Sequence, residues 1–151
     1  MGILKKLFGN KSSTDNLGVN IGSNLSLDQK WAIVCFELSL ASFAKGERER
    51  KEAQKLIDQE SRMLEVNPRE LLSYVEKYKK PEVIISALKT IFDKSLLDQI
   101  AYTSFGIAHI CKNKDAIAYY SYSFEQLGYS EEELIELIEK VQLLGKMMGG
   151  K

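Results

Sequence analysis

Four kinds of side chain in this sequence have chemistry beyond packing: acids beside two polar turns, two cysteines, one histidine and a run of tyrosines. The acids are Glu47 and Glu49, which follow Lys45-Gly46, and Asp115, which follows Lys112-Asn113-Lys114. Carboxylate oxygens suit a hard divalent cation, so these three are the metal-ligand candidates. Lys45 and Lys112 stand in the same turns, and an ammonium among ligands removes a donor oxygen and adds repulsion. The expectation is therefore no resident metal and no other cofactor. Cys35 and Cys111 match no zinc or Cys-x-x-Cys spacing and read as small buried hydrophobes. A disulfide between them is conceivable, but a reducing compartment argues against it. His109 is the only histidine, and Cys111, two positions on, faces another side of any helix that carries both. The chain has no P-loop, GxGxxG or GxSxG motif. No catalytic residue is named on these grounds, and an enzyme is the weakest reading.

The aromatic run Tyr119-Tyr120-Ser121-Tyr122-Ser123-Phe124 is different. Tyr120 and Phe124 are four apart and belong to one buried face, while Tyr119 and Tyr122 point elsewhere and are candidates for a partner surface. No basic cluster is interleaved with them, which argues against stacking on nucleic acid.

The elements that would hold these residues are all helical. Ser26-Leu27-Asp28-Gln29 is a capping box opening a first helix from Leu27 to about Ala44, apolar on nearly every side. Gly46 is expected to break it. A charged second helix, Glu47 to about Glu65, carries Ala53, Leu56, Ile57, Met63 and Leu64 inward. Its opening segment, Glu47 to Glu52, alternates in sign and reads as a solvated face. Asn67-Pro68-Arg69-Glu70 starts a third helix with Leu71, Leu72, Val75 and Tyr78 as its buried face. A connecting helix from Glu82 to Phe92 points Ile84, Leu88, Ile91 and Phe92 inward. Ser95 then caps a second apolar helix, which ends near Asn113. The next places Ile117, Tyr120, Phe124 and Leu127 on one face and stops at Gly128. Ser130 caps a last helix that buries Leu134, Ile135, Ile138 and Val141.

The two halves align on each other. Ala44 falls on Cys111 and Gly46 on Asn113, while Leu64, Asn67 and Leu71 fall on Leu127, Ser130 and Leu134 at a spacing shorter by about one helical turn. A one-turn deletion keeps an inward face in phase, so the shift supports a repeat. The fold class expected is all-α: about seven helices, as two pseudo-repeated three-helix units joined by a connecting helix. Residues 1–25, rich in Asn, Ser and Gly, form a mobile leader. Residues 26–146 make the domain, and residues 147–151 a frayed tail.

At 151 residues the chain suits one core, and 21 basic residues balance 21 acidic ones. That balance gives no global pull toward nucleic acid or an anionic membrane. No apolar run approaches the roughly 20 residues of a membrane span. Leu4, Leu7 and Phe8 with Lys5 and Lys6, or Met147 and Met148, are short segments suited to a partner or a peripheral membrane contact. The compartment expected is the cytoplasm.

The layout resembles the TerB-like (tellurite-resistance protein TerB) family over roughly residues 27–144. In that family a helix ends in Ala-x-Ala-Asp-Gly-Glu-like residues, followed by an acidic helix, Leu-Gly and a capped short helix. The matching segments are Ala41-Ser42-Phe43-Ala44-Lys45-Gly46-Glu47 and Ala108-His109-Ile110-Cys111-Lys112-Asn113-Lys114, with Met63-Leu64-Glu65 and Gln126-Leu127-Gly128 at the Leu-Gly position. The resemblance implies a two-halved helical domain linked to stress response, with divalent metal held in acidic loops. Lys45 and Lys112 fall where that motif has Asp, so the metal function does not carry over. The leading expectation is a non-enzymatic interaction or scaffold module with an unidentified protein partner. A divalent-metal-binding, tellurite-resistance type of protein is the second reading.

Overall fold

The computed structural model describes residues 25–149, with side chains through residue 140. Among the described residues there are seven α-helices, one short 3-10 helix and no strand. In order these are α1 (Leu27–Ala41), α2 (Glu47–Leu64), the 3-10 turn Pro68–Glu70, α3 (Leu71–Lys77), α4 (Pro81–Leu88), α5 (Lys94–Ile110), α6 (Lys114–Gln126) and α7 (Glu131–Gly149). The all-α expectation is met.

A helix apolar all round must be covered all round. α1 buries every residue from Trp31 to Glu37 and then Leu40, and α2, α3, α4, α5 and α6 all pack against it. Its capping box forms as the sequence requires. Ser26 Oγ accepts from the Gln29 backbone N–H, and Gln29 Oε1 accepts from that of Ser26. Gln29 also donates from Nε2 to Thr90 Oγ1 at 2.8 Å, which clamps the cap to the segment after α4. Leu25, assigned by composition to the leader, is buried in the core. The rest of that leader lies outside the described residues.

The aromatic rings knit the second half to α1. Phe36 meets Phe124 edge-on at 5.7 Å, and Phe124 in turn touches Tyr120 and Tyr129. Tyr120 donates its hydroxyl to the Ala101 carbonyl at 3.1 Å, so its polar end is satisfied. Each such ring, fully buried, contributes about 1.5–3 kcal/mol relative to exposure.

Several boundaries and faces differ from expectation. α1 stops at Ala41, not Ala44, and Gly46 has φ −92° as the residue that opens α2. A Cβ there would meet only the Glu49 carboxylate, the free end of a flexible side chain that can move aside. The left-handed turn positions are Glu65, Lys112 and Gly128. In α3, Tyr74 and Tyr78 take the inner face, with Tyr74 stacked on Trp31 at 5.1 Å. Leu72 and Val75 are therefore turned outward, against the expectation that they were core. α4 ends at Leu88, and once the helical phase is lost Ile91 stays inside while Phe92 is left outside. Asp93, not Ser95, caps α5, accepting from Ser95 and Leu96 N–H. In α7 Leu134 is buried but Ile135 is exposed; the Val141 side chain lies outside the described residues. α7 runs on to Gly149, so the expected tail begins within a helix.

Candidate functional site

Three places on this framework bring chemistry together, and the polar turns are the first. Asn113 opens α6 by accepting from Asp115 N–H, and its Nδ2 donates to the Phe43 carbonyl at 2.8 Å. Cys111 Sγ reaches the Leu40 carbonyl, and Arg50 closes the first turn through the Ala44 and Lys45 carbonyls. The turn holding Lys45 and the turn holding Lys112 thus lie side by side, with both lysines exposed. Glu49 is half-buried and near enough to Cys111 to help raise its pKa, though burial is the larger cause. Glu47 is exposed and paired with Lys51, and Asp115 is exposed. Among the described residues no three or more His, Cys, Asp or Glu side chains come together as ligands, so Glu47, Glu49 and Asp115 do not converge.

The cysteines are free and buried. Cys35 Sγ approaches the Tyr74 carbonyl, and burial pushes its thiol up to about 11, which keeps it protonated and inert. His109 is exposed and stacked on Phe105. Tyr119 and Tyr122 part company. Tyr119 packs on Phe36 and Phe43 with its hydroxyl buried beside Ser39 and Ser123, while Tyr122 is 52% exposed.

The second place is interior. Glu37, at the middle of α1, is 0% exposed, and Glu60 on α2 is 6% exposed. The carboxyls interact through space, and neither oxygen of Glu37 meets a hydrogen-bond partner of good geometry. Burial holds the Glu37 pKa well above the usual carboxylate range, with the Glu60 charge adding to it. Burial likewise raises Glu60, to about 7, against a smaller lowering from its contact with Glu37. Two acids competing for protons inside a core are a perturbed pair of the kind found at working sites. α5 also buries the polar residues Gln99, Thr103 and Ser104. Sequence reasoning passed over Glu37, yet the signal was present: one acid at the centre of a helix apolar on all sides.

The third place is the surface. Between α5 and α7 a groove of about 500 Å³ is lined by Lys94, Asp98, Tyr102, Tyr129, Glu133 and Lys140, among others. Several of its polar groups pair: Lys94 with Glu133 at 2.8 Å, the Tyr129 hydroxyl with Asp98 at 2.6 Å, Lys140 with Tyr102. This network fastens α7 to α5. Elsewhere, large apolar side chains stand in water. Phe92 is 91% exposed and Leu72 82%, with Leu27 and Val75 also out. These lie on segments tied to the first turn of α1 through Asp28–Lys77, Tyr78–Asp28 and Gln29–Thr90 contacts.

The described residues form a small all-helical bundle that leaves several large apolar side chains exposed. Among the described residues no helix is long and apolar enough to cross a membrane. The chain matches no family model, no curated protein and no solved structure.

Proposed function

We propose that this chain is a non-enzymatic helical interaction module, with a TerB-like pairing of two three-helix halves. The observation that carries the reading is the exposure of Leu72 and Phe92, with Leu27 and Val75, on segments tied to the first turn of α1. Single exposed apolar residues need no explanation, but several on adjoining segments mark a surface that associates. The Phe92 ring is largely exposed, so its burial is no part of the packing among the described residues. The TerB-like part of the proposal rests on the aligned helices and on the two lysine-bearing turns, which the Asn113–Phe43 hydrogen bond supports as paired features. A link to stress response follows from that resemblance.

The test is comparative co-purification of the wild-type chain and a Leu72→Glu, Phe92→Glu double variant. The reading expects a discrete protein at fixed stoichiometry with the wild type, lost in a double variant that melts at the same temperature. Identical co-purification profiles from the two chains would overturn it.

A further inference from the structure

α2 holds to the bundle by a narrow stripe. Its buried residues are Ala53, Ile57, Glu60 and Leu64, with Glu49, Leu56, Gln59, Ser61 and Met63 half-buried and the rest of the helix exposed and mostly charged. One of the four anchoring positions is therefore a carboxylic acid. It sits between Ile57 and Leu64, and opposite it stands the fully buried Glu37 of α1. A neutral acid pair can stay in such an interface; a charge there has lost its water and gained no cation. Among the described residues no basic group acts on either carboxyl. Among those residues, the charge that acts on Glu37 is that of Glu60, and Glu60 in turn meets Glu37.

We propose that the Glu37–Glu60 pair is a proton-operated latch: protonated, it holds α2 on α1, and on losing a proton Glu60 turns to solvent and releases the C-terminal half of α2. Glu60 is the member that leaves, because it already touches the surface and Glu37 does not. The proton lost goes to bulk water, and no covalent bond changes. The anchor lost is one of four on α2, whereas α5 buries ten residues and stays in place. The device is independent of the interaction reading and stands or falls separately.

Hydrogen exchange on the full chain tests it, with α5 amides as the internal reference and exchange times corrected for intrinsic rate. An opened Glu60 ionises near 4.5 and a closed one at about 7. Linkage then makes the opening equilibrium of the Ile57 to Leu64 segment roughly 30-fold more favourable at about pH 8.5 than at about pH 5.5. Glu60→Gln should remove the Glu60 share of the difference. Equal pH response of α2 and α5 in the wild type, or an unchanged response in Glu60→Gln, would overturn the latch. If that variant folds poorly, infrared spectra of the wild type with carbon-13-labelled glutamate decide. A protonated carboxyl band present at about pH 6, fading as α2 exchange rises, supports the latch. Absence of that band at about pH 6 contradicts it.

Discussion

Raising the pH from mildly acid to mildly alkaline should destabilise this protein, and the size of the effect can be worked from Glu60. Solvated, this carboxyl ionises near 4.5; in the fold it does so at about 7. Between those values the folded chain keeps a proton that the unfolded chain has released, so stability falls as pH rises. Below about pH 4.5 both states hold the proton and only neutral burial is at stake. Above about pH 7 the folded chain has released the proton too, and the loss reaches its full size. At about 1.4 kcal/mol per unit, the loss across the window is about 3 kcal/mol. Glu37 is displaced in the same direction and adds to the loss at higher pH. Against a typical stability of about 5–15 kcal/mol, that is a large share. Urea unfolding followed by circular dichroism at about pH 5, 6.5 and 8 reads it directly, as a midpoint that moves down with pH. Glu60→Gln should remove the Glu60 part of the slope. A midpoint that is flat or rises from about pH 5 to 8, or a slope as steep in the variant as in the wild type, would refute the reasoning.

Other outcomes follow from particular contacts. Asn113→Ala removes both the α6 cap and the bond to the Phe43 carbonyl, and should cost about 2–3 kcal/mol in urea unfolding. Asn113→Asp keeps the cap and loses only the donor, so it should cost less. Tyr120→Phe leaves the Ala101 carbonyl without its hydroxyl partner and should lower stability by about 1 kcal/mol with the core intact by near-ultraviolet dichroism. Leu72→Ser and Phe92→Ser should each change stability by less than about 0.5 kcal/mol, since neither side chain is buried. Calcium or zinc titration by calorimetry should give no micromolar binding; such binding, lost on changing Glu47, Glu49 or Asp115, would favour the metal-binding reading instead.

The long apolar helices were legible from sequence because burial on all sides leaves no polar face to hide. Ser26 and Ser130 announced their helices through reciprocal caps, and both boxes form. The short helices were harder. In α3 the apolar letters Leu72 and Val75 suggested an inner face, but two tyrosines with more area to bury compete for that face and take it. Phe92 was misplaced because helical spacing was extended beyond Leu88, where the chain had already turned toward α5. The acids beside the polar turns drew the eye because the turns resemble a metal loop. The acids that interact are instead Glu37 and Glu60, far apart in the chain and joined only when α2 folds back on α1. No local spacing pairs them, although each lies in phase with buried neighbours.

The central claim is that the Phe92 face binds a protein. The most direct measurement places a photo-crosslinking amino acid at position 92 of the full chain in cells, with Arg48 on the charged face of α2 as the control position. The account predicts one discrete adduct from position 92, absent from position 48 and abolished by Leu72→Glu. No adduct at 92, or the same adducts from both positions, would contradict it.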